Sequence, residues 1–265
     1  MKRLDYTNKI VVLSGASSGI GKEIARELIT KHNCLVLAIA RNKERLNSVR
    51  DELGENYVPF AFDVSKRESW ESFVDFLQKS LLRVDILINC AGALPKFGTI
   101  ESTSIDTLEG AISVNYLSQV YACKLLLPHI NDLGAIVNIS SASALCPFGF
   151  TGAYGASKSA SRQFSESLSA ELKSIRVSTV LPGFVRTDIM KNQEINDKEA
   201  GLVKKFSADC SRTVKKLLRR VKRRKRRIVL GFDGHFLGFL YRVLPRTAPR
   251  LITWFLQRSG LELFK

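Results

Sequence analysis

Short, wholly apolar runs alternate along the chain with longer segments whose apolar positions recur every three or four residues. Residues 10–14 (Ile-Val-Val-Leu-Ser), 34–40 (Cys-Leu-Val-Leu-Ala-Ile-Ala), 57–62, 84–89, 134–140 and 175–181 predict strands. Between them the helical period predicts helices over 19–31, 43–53, 66–82, 107–130 and 154–173. In 66–82, for example, Trp70, Phe73, Phe76, Leu77 and Leu81 fall on one stripe. Strands without a polar face are buried on both sides, as parallel sheets require. The alternation therefore predicts an α/β fold, a doubly wound parallel sheet of Rossmann type.

After Pro182-Gly183 the pattern changes. Residues 184–209 are polar and irregular, as in a flap over a site. A helix over 207–222 and a last strand over 226–231 follow. Two short amphipathic helices come next, one carrying Phe236, Leu237, Phe239, Leu240, Val243 and Leu244, the other Leu251, Ile252, Trp254 and Phe255, with Pro245 between them. The expected organisation is one domain over 1–231, its flap at 184–209, and an amphipathic extension over 232–265. At 265 residues the chain has room for one large domain and not for two comfortable ones.

Composition changes this picture in one place. A hydrophobic share of 45% with 25% charged residues is globular and excludes a disordered or fibrous chain. The net charge of +16 is uneven, because residues 210–265 hold 16 basic residues against Asp233 and Glu262 alone. A near-neutral body thus carries a cationic end. Five scattered cysteines without a CxxC pair do not form a disulfide framework and suggest a reducing compartment. Three separated histidines offer no zinc site, so no metal is expected. The first strand follows the N-terminus at once, and no apolar run approaches the ~18 residues that span a bilayer. The expectation is a cytoplasmic protein without signal peptide or transmembrane span.

Ser14-Gly15-Ala-Ser17-Ser18-Gly19-Ile20-Gly21 joins the first strand to the first helix. Glycines there permit a tight turn and close approach of the backbone to a pyrophosphate, which the helix N-terminus attracts. Two other motifs overlap it. Gly15-x-Ser17-x-Gly19 has the form of a hydrolase nucleophile elbow, but it lies on the first strand and no HGGG-like oxyanion segment accompanies it. Gly21-Lys22 resembles the end of a P-loop, yet Ala16 and Glu23 break that pattern on both flanks. Further on, Tyr154 and Lys158 stand four residues apart on one helical face. That pair is either an ordinary surface contact or an acid/base couple in which the ammonium lowers the phenol pKa. Ser140-Ser141 ends the strand before it, and Asn89-Cys-Ala91-Gly92 and Asn115 precede it.

With these motifs in this order the sequence resembles the short-chain dehydrogenase/reductase family, over about residues 8–190. Ser14 and Cys90 depart from the residues usual there, without touching the chemistry. The resemblance implies an NAD(P)-dependent oxidoreductase acting on a carbonyl or an alcohol. It assigns Tyr154 as general acid or base and Ser141, rather than Ser140, as the group that polarises the carbonyl. It gives Lys158 the ribose hydroxyls and the depression of the tyrosine pKa, and Asn115 a proton-relay water. Cofactor contacts are implied at Gly15, Ser17, Ser18, Gly19, Ile20, Gly21, Asp63, Val64, Asn89, Ala91, Gly92, Tyr154, Lys158, Pro182, Gly183 and Thr187. The end of the second strand reads Ala40-Arg41-Asn42, with no carboxylate to accept from a ribose 2′-hydroxyl. Arg41 suits a 2′-phosphate, so NADP(H) is expected over NAD(H). Leu94, Phe97, Leu145, Phe148 and Phe150 flank the motifs and predict a bulky apolar substrate, of lipid, retinoid or steroid kind. A homodimer or homotetramer through helices 107–130 and 154–173 is implied. The non-enzyme alternative is a dinucleotide sensor or scaffold, which has no need of Asn115, Ser141, Tyr154 and Lys158 together.

Residues 212–227 hold eleven basic residues and no acid. A solvated helix and turn, nucleic-acid binding, and an anionic membrane surface are the competing readings. No aromatic interleaves the run, so nucleic acid is not expected. The aromatic helices that follow, with Arg242, Arg246, Arg250 and Arg258, favour a membrane surface contacted through 212–258. Similar tails occur in membrane-associated members of the family.

Overall fold

The computed structural model describes residues 3–189, 193, 201 and 207–259. Seven strands form one sheet: β1 (Ile10–Ser14), β2 (Leu35–Ala40), β3 (Tyr57–Ala61), β4 (Val84–Asn89), β5 (Ile130–Ile139), β6 (Arg176–Pro182) and β7 (Arg227–Leu230). Their spatial order is β3-β2-β1-β4-β5-β6-β7, and every adjacent pair is parallel. Successive residues of β1 serve opposite faces, with Val11 and Leu13 in one core and Val12 in the other. The all-apolar runs are explained by that double burial.

Helices cover both faces. On one side lie α1 (Gly19–His32) and α2 (Lys43–Leu53), whose Ile24, Leu28, Leu46 and Val49 are buried. On the other lie α3 (Arg67–Lys79), α5 (Ser118–Leu126) and α6 (Gly152–Glu171). Trp70, Phe73 and Leu77 of α3 meet Phe60 and Phe62, edge to face at ring separations of 4.9 Å for Phe60–Phe73 and 5.3 Å for Phe62–Trp70.

The helix expected over 107–130 is broken. It comprises α4 (Ile105–Ile112), a π-helical turn (Ser113–Leu117), α5 and a short 3₁₀ turn, after which β5 begins at Ile130 with a register shift against β4. The π turn adds a residue to the helical circuit, and Asn115 within it is fully buried. Hydrophobic periodicity does not see such an insertion, because the apolar stripe resumes on its far side.

The basic stretch is largely structural. Helix α7 (Cys210–Lys222) buries Thr213, Val214, Leu217, Leu218 and Val221, and the Tyr6 hydroxyl donates to the Leu218 carbonyl at 2.9 Å. Arg212, Lys215, Lys216 and Arg219 take the solvent face that this amphipathic pattern leaves. Arg227 opens β7, and its Nε lies 3.5 Å from Glu166. Two tail helices follow, α8 (Phe232–Val243) and α9 (Ala248–Arg258). Most of the expected flap at 184–209, and residues 260–265 of the extension, lie outside the described residues. Among the described residues no helix is long and apolar enough to cross a membrane.

Candidate active site

A parallel sheet sends the carboxyl ends of all its strands to one edge, and the strand order reverses between β1 and β4. The residues singled out in the sequence converge at that edge. Gly15 follows β1, Arg41 follows β2, and Asp63 and Val64 follow β3. Asn89, Ala91 and Gly92 end β4, Ser140 and Ser141 end β5, and Pro182 and Gly183 end β6.

The β1–α1 turn owes its shape to two constraints. Gly15 has φ +71°, and a Cβ there would lie 2.7 Å from the Ala91 amide nitrogen. Ser14 sits beneath it, its hydroxyl accepting from the amides of Cys90 at 3.1 Å and Ala91 at 3.2 Å, so β1 and β4 end in register. The N-cap Ser18 makes no side-chain capping bond, and the first turn of α1 has no acid. Its N–H groups and dipole are left to an anion. Thr187 meets the other side of this turn, since a Cβ on Gly19 would lie 3.2 Å from the Thr187 side chain. The Asn89 amide donates to Asn138 Oδ1 at 2.8 Å while its own Oδ1 is buried without a partner among the described residues. An uncapped helix N-terminus, close-packed glycines and a spare buried acceptor fit a nicotinamide dinucleotide. Arg41 is exposed, Asn42 caps α2, and Asp63 accepts from the amide and hydroxyl of Ser65 at 2.9 and 2.8 Å.

The catalytic candidates are held from several elements. Asn115 bridges to Ala93, accepting from its amide and donating to its carbonyl, each at 2.8 Å, and donates to Ser157 at 3.0 Å. Its side chain thus ties the loop after β4 to α6. A Cβ on Gly92 would lie 3.2 Å from both Asn115 Oδ1 and Lys158 Nζ, which places these groups together. Ser140 and Ser141 divide their work. Ser140 is buried and donates to the Lys158 carbonyl at 2.7 Å, anchoring α6. Ser141 caps the following turn and faces the Tyr154 phenol from the cavity wall. Beneath them, Asn138, Ser165 and Thr179 continue the buried polar chain from Asn89 and lock α6 onto β5 and β6.

Electrostatics differ from the sequence expectation. Burial pushes the Tyr154 phenol above its ordinary range, and a hydrogen bond with Ser141 pulls it the other way. Burial also lowers the Lys158 ammonium from 10.5 to about 8. Its Nζ donates to the Ile139 carbonyl at 3.2 Å and stands 5.9 Å from the Tyr154 ring centre. In the protein alone the net shift of the phenol is therefore upward, because removal from water outweighs the hydrogen bond with Ser141.

A cavity of about 100 Å³ opens over Ser141 and Tyr154, walled by Leu94, Phe97 and Phe148 among others. A second, of about 230 Å³, adjoins it across Phe97 and Phe148 and includes Phe150. Leu145, expected in the wall, instead packs with Ala144, Leu181 and Val229 below it. The sequence reading missed Asp233 and Leu237 of α8, which line the first cavity. Asp233 accepts from the Phe184 amide at 2.6 Å, and a side chain on Gly183 would collide with its carboxylate. The available signal was its isolation, since no other acid occurs between 210 and 261.

Comparison with known proteins agrees with this geometry. Residues 9–198 match the family described as short chain dehydrogenase. An 11-beta-hydroxysteroid dehydrogenase-like protein of Arabidopsis thaliana is 34% identical over 71% of this chain, an alignment that spans 63% of the plant protein's length. An NADP-dependent 3-hydroxy acid dehydrogenase of Salmonella typhi is 33% identical over 66% of this chain and 72% of its own. The crystal structure of a short-chain dehydrogenase from Streptomyces avermitilis superposes with a TM-score of 0.79 at 25% identity, covering 97% of this chain and 99% of that one. With a seven-stranded parallel sheet, a glycine turn beneath Thr187, and Ser141 and Tyr154 lining one cavity with Lys158 buried behind the tyrosine, the family match is complete: the chain belongs to the short-chain dehydrogenase family.

Proposed function

We propose that this protein is an NADP(H)-dependent oxidoreductase that interconverts a carbonyl and an alcohol on a bulky, apolar substrate. The observation that carries the reading is Tyr154 and Ser141 paired in the wall of an apolar cavity, with Lys158 buried behind the tyrosine, on the sheet edge that carries the glycine turn. A bound nicotinamide supplies or accepts the hydride. The residues of the chain supply position and protons. In reduction, Tyr154 Oη gives its proton to the carbonyl oxygen, and Ser141 Oγ donates a hydrogen bond to the same oxygen. A phenol held protonated by burial is suited to that acid role. Lys158, anchored through Ile139 and Ser140, would hold the ribose hydroxyls of the bound cofactor with its ammonium. Asn115 keeps the loop after β4 against α6, so that these groups stay aligned.

Arg41, in place of a carboxylate after β2, supports NADP(H), and the Salmonella relative is named for that cofactor. Leu94, Phe97, Phe148 and Leu237 support an apolar substrate, and the plant relative's name contains a hydroxysteroid. The test is turnover of apolar ketones and aldehydes, followed by the loss of NADPH absorbance. Tyr154→Phe should lower kcat by roughly 10²–10⁴-fold with NADPH affinity unchanged, since the hydroxyl acts on the transition state. Turnover that survives Tyr154→Phe would overturn the assignment.

A further inference from the structure

The tail helices are fixed to the body on one side and bare on the other. Inward, Gly234 packs against Val229 and Ala142, Gly238 against Leu145, and Ala248 is fully buried. Thr253 Oγ1 accepts from the Gly149 amide at 2.8 Å, in the loop that separates the two cavities. Outward, Phe232, Phe236, Phe239 and Val243 follow one another at four, three and four residues, so they line one face of α8. Phe232 is 86% exposed and Phe239 67%. On α9, Leu251, Trp254 and Phe255 are likewise exposed. This apolar surface continues to the cavity rim, where Phe184 and Ile189 are both exposed and part of the lining.

The exposed charged residues on the two helices have one sign. Arg242, Arg246, Arg250 and Arg258 are exposed, and Arg258 lies over the Trp254 ring at 4.4 Å. Asp233 is the only acid among the described residues of the two helices, and its carboxylate is engaged by the Phe184 amide. A second copy seated on the same two helices would oppose arginines to arginines with no exposed carboxylate on either helix, among the described residues, to answer them. Nucleic acid would answer the arginines and leave the valine and leucines of the surface without a partner. An anionic bilayer answers both, with headgroups for the guanidinium groups and acyl chains for the rings and aliphatic side chains.

We infer that the outward faces of α8 and α9 seat this protein on an anionic lipid bilayer, with the rim of the substrate cavity at that surface. Leu237, on α8, then places the cavity directly behind the docked face. Docking stands without the catalytic reading; delivery of an apolar substrate from the bilayer rests on it. The basic stretch ahead of β7, carried on the solvent face of α7 and its turn, adds long-range attraction and is not the seat.

The experiment is flotation of the full chain with vesicles of phosphatidylcholine alone and with added phosphatidylserine. Partition should be roughly tenfold higher on the anionic vesicles. The double variant Phe239→Ser, Phe255→Ser should lose about tenfold of it, and Arg246→Glu with Arg250→Glu a similar amount on anionic vesicles only. These residues lie outside the catalytic set and are exposed, so the melting temperature and the turnover of a water-soluble aldehyde should be unchanged. Equal partition on both vesicle types, or partition unaffected by the aromatic variants, overturns the inference. So does conversion of an oligomer to a monomer by those variants without change in flotation, which would make the face a contact between copies. Loss of nucleic-acid retention in place of flotation overturns it equally. Flotation by a protein that turns over no carbonyl compound retains the docking surface and removes only the function proposed above.

Discussion

Replacing Lys158 by methionine should make the cofactor-free protein more stable while removing its activity. The lysine is buried, and its ammonium is lowered from 10.5 to about 8 because little replaces the water it leaves. A shift of that size, at about 1.4 kcal/mol per unit, means that keeping the group charged costs the fold about 3 kcal/mol near neutral pH. Methionine has a similar length and no charge, so it relieves this cost. It also gives up the bond from Nζ to the Ile139 carbonyl, worth about 1 kcal/mol net. That carbonyl is not orphaned, because Gln119 Nε2 donates to it at 3.3 Å. The net gain is about 2 kcal/mol, or about 4 °C in melting temperature for a chain of this size. The sign with pH follows from a depressed pKa. Below pH 8 the lysine is charged in both states and the cost applies in full. Between about 8 and 10.5 the unfolded chain binds the proton more tightly than the folded one, so wild-type stability rises with pH relative to the variant. The gap in melting temperature should therefore close at about pH 9.5 and, with the bond to Ile139 still missing from the variant, reverse by about pH 10.5. Thermal melts of the two proteins across this range are the assay. A variant no more stable than wild type near neutral pH, or a gap that does not change with pH, would refute the reasoning.

Three further outcomes are expected. NADPH should bind at least about tenfold tighter than NADH, a difference of ~1.4 kcal/mol that Arg41→Ala removes; equal dissociation constants in the unmutated protein would dismiss the role of Arg41. Gly15→Ala should abolish cofactor binding and lower the melting temperature, because φ +71° is strained for alanine by about 1–2 kcal/mol and its Cβ meets the Ala91 backbone; a variant that binds NADPH normally would contradict this. Asp233→Ala frees the Phe184 amide and loosens the start of the flap, so KM for an apolar substrate should rise several-fold with NADPH affinity held. Steady-state kinetics that leave KM unmoved would remove Asp233 from the pocket's working parts.

Much of this was legible along the chain because the relevant physics is local. A run such as Val11-Val12-Leu13 announces a strand buried on both faces, whatever its neighbours are, and glycines between a strand and a helix announce a backbone that must approach something closely. Tyr154 and Lys158 share a face by helical arithmetic alone. Other features were decided only when distant segments met. The π turn at Asn115 is invisible to periodicity, and its purpose appears only in the bonds to Ala93 and Ser157. Ser140 and Ser141 are alike in sequence, yet one faces the Lys158 backbone and the other the cavity. Asp233 reaches the site from beyond the last strand, and Leu145 leaves the wall because α8 packs over it. The arginines and lysines from 212 onward read as one charged tract, but α7 buries its other face against α1, making Arg212, Lys215, Lys216 and Arg219 the solvent side of a core helix. The sign of the tyrosine shift reversed for the same reason. A sequence states which groups carry charge and how they are spaced, whereas desolvation depends on what three-dimensional packing puts in place of water.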